Sequence, residues 1–400
     1  MRVLASLSLC LLVVGCVEDI AAPGACPDYC PNTRIVVVDT VITASIDRDS
    51  SFAGYFPTYE AGSIQLTTGG VVESYGVVRF RTFAEEVCFD TAASDLRPIL
   101  AVDSFKVHIN FEARSPGTGD FELVLFRLPA SVDTTTTYAD LQSFFNDSTE
   151  LAAVAVTSGM SEDSVTVTLA PDVFPTLEED SSVAAVGISM RSVEPAFVNL
   201  QSRNRSFEYQ RITRFVQVDS ADGQPAARVD TTYSAFDSFV FSDLPPLGPN
   251  ALPVGGTPST RTFLHATLPS RIVDSSSVIR ATLLLVPAEP VVGAPGDTIR
   301  ILAEGLAADI GPKSPIIQIP ADSIDFFSGL AHVGSTDTLR IDVTHIIAPW
   351  KDNPSASRSF MLRAYLEGGT IGEFRFNSSA SVVGAPALQI SFIPPSLIGN

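Results

Sequence analysis

Four histidines, His108, His265, His332 and His345, are the only imidazoles in the 400-residue chain. No two of them stand at i,i+2 or i,i+4, the spacings at which one strand or helix face offers two nitrogens to zinc. His108 sits between Val107 and Ile109, and His265 between Leu264 and Ala266, so both read as strand residues with a surface or hydrogen-bonded structural role. The chain has no GxSxG elbow, HExxH helix, phosphate-binding loop or dinucleotide glycine pattern. Carboxylates are abundant, and Glu85-Glu86 and Glu178-Glu179-Asp180 lie in loop-like polar sequence. Glycosidase chemistry would need two such groups held across a cleft. The reading is therefore a non-enzyme without a cofactor. Calcium is the one cation to consider, because Asp47-Arg48-Asp49 and Asp219 with Asp222 place acidic oxygens in turn-like sequence. Neither completes an EF-hand loop, and solvated Asx turns alone account for Asp in such places. For ligand stacking, Tyr55, Phe56 and Tyr59 in SSFAGYFPTYEAG form the one aromatic group that reads as exposed. The competing reading is a loop that packs its rings onto the core.

The cysteines carry a more specific signal. Met1-Arg2 is followed by an apolar stretch from Val3 to Val14 and then by Gly15-Cys16. The stretch suits a signal-peptide core, since a membrane span needs about 20 apolar residues. The ending Val13-Val14-Gly15-Cys16 resembles the lipobox of bacterial lipoproteins. That resemblance implies cleavage between Gly15 and Cys16, a diacylglycerol thioether on Cys16 and acylation of its new amino group. Several acyl chains anchor stably where one does not. The expected location is a bacterial cell envelope, lipid-anchored at an outer membrane or cell surface. Cys26 and Cys30 flank Pro-Asp-Tyr in a proline-rich segment, and in an oxidising compartment a local disulfide is the plain reading. Cys88, between Val87 and Phe89, reads as a buried thiol, with a bridge to Cys26 or Cys30 as the alternative.

Composition narrows the partners. The net charge is -20, and acid is spread over both halves without a basic patch. Nucleic-acid binding by counterion release needs clustered Lys and Arg, so that class is excluded. Hydrophobic residues make up 45%, enough for sizeable cores. Phe, Val, Ile and Thr are plentiful, which favours strands.

The elements that must position any site are strands. Residues 1–15 read as the signal peptide and 16–34 as a lipidated tether, with ordered sequence from 35 onwards. YGVVRFRTF (75–83), FKVHINF (105–111), FELVLFRL (121–128), VTVTL (165–169), VIRATLLLV (278–286), TIRILAE (298–304), TLRIDVT (338–344) and FMLRAYL (360–366) alternate with period two. Helix is expected only at TTYADLQSFFND (136–147), with one turn near VTHIIAPW (343–350).

The chain also repeats itself. LTTGGVVESYGVVRF from Leu66 matches LPVGGTPSTRTFLHAT from Leu252, and VTVTLAPDVFP (165–175) matches LRIDVTHIIAP (339–349). VAAVGISM (183–190) matches SFMLRAYL (359–366), and GQPAARV (223–229) matches GAPALQI (384–390). Order is kept at a spacing of about 160–190 residues, which predicts two copies of one fold. The predicted division is 35–235 and 236–400. Short strands at turn-rich spacing predict an all-β chain of two tandem β-sandwich, jelly-roll-like domains.

Within the second copy, RTFLHATLPSRIVDSSSVIRATLLLVP (261–287), LRIDVTHIIAPWKDN (339–353) and FNSSASVVGAPALQISF (376–392) resemble segments of DNRLRE-type domains. The resemblance covers about residues 236–393. The first copy follows only its outline, with Phe174 and Leu177 near the place of Trp350. It implies jelly rolls of bacterial and archaeal surface proteins, some related to carbohydrate-binding modules, and a structural place for Trp350. It supplies no ligand residues. The functional expectation is a non-catalytic binding or scaffolding module held to a membrane by its lipid. Its partner would be a polysaccharide or another envelope protein. The alternatives are a polysaccharide lyase or hydrolase on a β-sandwich and a structural surface spacer.

Overall fold

A computed structural model describes residues 36–43, 45–81, 83–90, 95–115, 117–159, 164–174, 184–205, 209–220 and 223–395. Residues 38–400 belong to one compact unit. The fold is all-β and its strand pairings are antiparallel. Among the described residues no helix is long and apolar enough to cross a membrane.

Strands follow the alternating runs. In the first half they are β1 (Val38–Ile42), β2 (Ile46–Phe52), β3 (Ser63–Thr68), β4 (Ser74–Phe80), β5 (Glu86–Asp90), β6 (Asp95–Arg114) and β7 (Phe121–Leu128). Then come β8 (Glu150–Val156), β9 (Ser164–Leu169), β10 (Ala185–Arg191), β11 (Ala196–Gln201), β12 (Arg211–Asp219) and β13 (Pro225–Phe241). The second half has β14 (Ala251–Gly255), β15 (Arg261–Ala266), β16 (Ser277–Leu285), β17 (Thr298–Gly305), β18 (Ser328–His332), β19 (Leu339–Asp342), β20 (Ser359–Ala364), β21 (Glu373–Asn377) and β22 (Ala387–Ile393). Among the described residues three α-helical turns interrupt them, α1 (Tyr138–Leu141), α2 (Ser270–Val273) and α3 (Thr344–Ile347), besides short 3-10 turns.

The helix expected over 136–147 is thus one turn followed by a 3-10 turn. Thr137 caps it by accepting from the Asp140 amide, while the Asp140 side chain accepts from the Thr137 amide. Its role is packing. Phe145 stacks on Tyr75 at 3.9 Å and covers the outer face of β4, β7 and β10. That cover explains why FELVLFRL is buried on both faces instead of alternating.

Each half encloses one core between two layers. In the N-terminal half, Phe105, Val107, Ile109, Val167 and Ile212 meet Ile64, Val78, Leu123, Leu125 and Val186. In the C-terminal half, Leu283, Ile341 and Ile390 meet Leu264, Ile301 and Leu362. Burying each such side chain stabilises by about 1.5–3 kcal/mol. The halves also pack together: Val292, Ala294 and Ile371 enter the N-terminal core, and the Ile371 amide donates to Gln65 Oε1 at 2.8 Å.

The two halves share a pairing order. In the first, β6 pairs with β9 and β12, β4 with β10, β10 with β7, β7 with β8, and β3 with β11. In the second, β16 pairs with β19 and β22, β15 with β20, β20 with β17, β17 with β18, and β14 with β21. Three of the four sequence matches fall on strands in matching places: β3 with β14, β9 with β19, and β10 with β20. The glycine pairs after β3 and β14 both turn the chain, with Gly69 at φ 73° and Gly255 at φ 92°. The fourth match does not hold. GQPAARV opens β13 and GAPALQI opens β22, yet β22 lies between β16 and β1 as β12 lies between β6 and β13.

The expected division at 235/236 falls inside β13, which pairs with β12 over 225–233 and with β4 over 234–241. Strands β1 and β2, placed by sequence in the first domain, pair with β22 and β15 of the second half.

Candidate functional site

The outer face of the sheet β1-β22-β16-β19 carries the strongest candidate. Successive residues of a strand point to opposite faces. Ala281, Leu283, Ile341, Leu388 and Ile390 therefore fill the core, while Arg280, Thr282, Arg340, Asp342, Gln389 and Ser391 face outward with Asp39. Pairing sets Asp39 opposite Ser391, and Ser391 opposite Arg280. Gln389, Thr282 and Asp342 form the next cross-strand row. The segment before β18 supplies a wall of Asp325, Phe326 and Ser328, and the whole encloses a cleft of about 690 Å³.

The groups in the cleft are only partly satisfied by one another. Ser391 donates to Asp39. Arg340 Nη1 donates to Gln389 Oε1 at a long 3.4 Å, and Asp325 is paired with Arg300. Arg280 has no ion-pair or hydrogen-bond partner among the described residues. Phe326 is 74% exposed, a large apolar ring left in water beside the polar lattice. Behind the wall, Phe327 lies 4.0 Å from the His345 ring, and both His345 nitrogens are buried without partners. Burial pushes the His345 imidazole below its ordinary range, against the pull of Asp342 and Glu304.

A smaller cavity of about 220 Å³ lies where β15 meets the Trp350 turn. His265 Nδ1 is 2.6 Å from Asp47 Oδ1, and Thr267 donates to Asp47 Oδ2 at 2.8 Å. Desolvation, the largest influence on Asp47, raises its carboxyl, but the bonds from His265 and Thr267 outweigh it and leave the carboxyl below its ordinary range. No serine or threonine hydroxyl among the described residues is bonded to His265. Arg358 covers the buried Trp350 ring at 4.9 Å, and its Nη1 is buried without a partner. Trp350 is buried in the 3-10 turn Ala348–Trp350.

The residues singled out from sequence are dispersed. Asp47 and Asp49 lie within β2 rather than in a turn, and the Asp49 carboxylate accepts from the Ser379 amide. Asp219 ends β12, far along the chain from them. Among the described residues no three His, Cys, Asp or Glu groups come together as a metal site. Tyr55 is packed: Arg261 lies 4.0 Å over its ring, its hydroxyl donates to the Pro312 carbonyl, and it joins Phe263 and Met361. Phe56 is half-buried, pressed against Gly368, and Tyr59 lies in a 3-10 turn whose carbonyl accepts from Asn204. The loop thus folds onto the sandwich, the competing reading of that segment. Cys88 is exposed on β5, not buried, because β5 is an edge strand with its Cys side facing out. Phe174 packs edge-on to Phe105 at 5.2 Å. Gly15, Cys16, Cys26, Cys30, Leu177 and Asp222 lie outside the described residues.

His108 is bonded by Thr166 at 3.0 Å and Thr213 at 3.3 Å, and His332 by Thr298 at 2.9 Å, all in structural roles. The cleft residues escaped notice in the sequence. Their signal was the polar set at alternate places in VIRAT, LRIDV and LQISF, strands that sit side by side. No family model matches the chain, and no curated protein matches it either.

Proposed function

We propose that the protein is a lipid-anchored envelope or surface module that binds a polysaccharide without cleaving it, through the cleft on β1-β22-β16-β19. The observation that carries this reading is the alternation of donors and acceptors around one cleft beside an exposed ring. Arg280 and Arg340 donate, Asp39 and Asp342 accept, and Gln389 and Ser391 can do both. Vicinal sugar hydroxyls need that mixture, and Phe326 offers an apolar face for the ring carbons. With Asp325 paired to Arg300, the two arginines and the two other aspartates of the cleft balance, which suits a neutral chain better than a polyanion. The DNRLRE resemblance points the same way, and the lipobox-like Cys16 would hold the module to the membrane.

The test is a glycan-array screen of the chain lacking residues 1–16, repeated with Phe326→Ala and Arg280→Ala. Binding by the parent and its loss in both variants supports the reading. Parent binding that both variants retain would place the ligand elsewhere, and no glycan bound alongside capture of an envelope protein would replace a sugar partner with a protein one. Radiolabelled palmitate incorporation tests the anchor, with label expected in wild type and absent in Cys16→Ser. Equal label would overturn it. A lyase or hydrolase remains the second reading because His265 is oriented by Asp47 at 2.6 Å in a cavity. Glycan turnover by the parent that Asp47→Asn abolishes would favour it.

A further inference from the structure

We infer that Val38–Phe52 is a donor segment that completes the C-terminal half, and that its docking and the building of that half's cleft are one event.

The matching pairing order sets the two halves side by side. Each half has a place where a segment beside the last strand of one layer goes on to pair with the other layer. In the N-terminal half β13 fills it: residues 225–233 pair with β12 and residues 234–241 with β4. In the C-terminal half the partners in matching places are β22 and β15. The segment there is not a neighbour in sequence. β1 pairs with β22 and β2 with β15, so Asp39 bonds to Ser391 across 352 residues. β13 follows β12 directly, with Asp219 opposite Pro225. One place is therefore closed by a local hairpin and the other by the far end of the same chain.

Chemistry supports donation rather than incidental contact. Ile46 is 4% exposed inside the C-terminal core, and Val38 and Ile42 pack against it. The buried Ser45 hydroxyl accepts from the Leu388 amide at 3.0 Å, and its carbonyl accepts from the Thr267 amide at 2.8 Å. Without the segment, β22 and β15 would each present an open edge. The segment also reaches both cavities: Asp39 lines the larger cleft, and Asp47 bonds His265, which lines the smaller one. A chain that has not seated β1–β2 lacks one wall residue of the larger cleft and the partner of His265 at the smaller cavity. This holds whatever ligand the cleft takes.

The test is hydrogen exchange on the full mature chain and on the same chain lacking residues 36–53. The deletion should cut protection in β15, β20 and β22 by about a hundredfold or more while β10 and β12 keep theirs. A synthetic peptide of residues 36–54 should restore it. A second variant does not depend on the deletion folding. In a Cys88→Ser background, Val41→Cys with Gln389→Cys should cross-link, because the two positions are partners in the register, and should raise the melting of the C-terminal half. Unchanged protection of β15 and β22 after deletion would overturn the inference, as would equal loss in both halves or failure of the pair to cross-link under oxidation.

Discussion

The outer sheet faces of the two halves are built alike and finished differently. In the N-terminal half, several outward polar groups of β9, β6 and β12 are satisfied within the face, while Arg211, opposite His108, has no hydrogen-bond or ion-pair partner among the described residues. His108 is held between Thr166 and Thr213, Thr213 also bonds Thr231, Lys106 covers the Phe215 ring at 4.8 Å, and Gln217 donates to Asp103 at 2.6 Å. In the C-terminal half the corresponding face leaves Arg280 without a partner among the described residues, Arg340 weakly bonded and Phe326 in water. Donors left over beside an exposed aromatic ring are available to a ligand. The proposed function therefore places binding on the C-terminal face and bracing on the N-terminal one.

The largest expected effects test which half each crossing segment serves. Phe239→Ala in β13 removes a fully buried ring from the N-terminal core and should cost about 3–5 kcal/mol. Ile46→Ala in β2 should cost about 2–5 kcal/mol. Hydrogen exchange should show the first loss in β4 and β12 but the second in β15 and β22, although Ile46 comes first in the chain. The comparison breaks if both variants loosen the same strands. Next in size is the ligand face. Phe326→Ala should weaken glycan binding about tenfold, or about 1.4 kcal/mol, with folding stability within about 0.5 kcal/mol of wild type. Calorimetric titration and thermal melts of one preparation check both.

A smaller effect concerns pH. Burial lowers the His345 imidazole in the folded chain. Its contribution to stability is therefore present above the unfolded value, about 6.5, and is lost as pH falls through the lower folded value. His108 is lowered with the same sign by burial, Arg211 and Lys106. Acid should weaken both halves, and His345→Leu should flatten the response in the C-terminal half alone, read from melts between pH 7 and 5. Last, Phe215→Ala on the N-terminal face should leave glycan affinity unchanged.

Strand type was legible because alternation is a local property: TIRILAE and VTVTL expose their parity within a few residues. Partner choice was not, since any strand of the right parity can pair with another, and register is specified only when the faces meet. That is why β1 and β2 were placed with the sequence that follows them. The Tyr55 loop left two readings open for a related reason: the partners that cover its rings, Arg261 and Gly368, come from 200 or more residues away. Arg280, Arg340 and Gln389 looked like ordinary solvent-side residues because a strand shows only its own half of a cross-strand row.

The most direct measurement is a paired titration of the best array glycan against Arg280→Ala and Lys106→Ala, one substitution on each outer face. Arg280→Ala should lose at least about tenfold in affinity, and Lys106→Ala should keep wild-type affinity. Equal affinities for the two variants, or a loss confined to Lys106→Ala, would contradict binding at the C-terminal face.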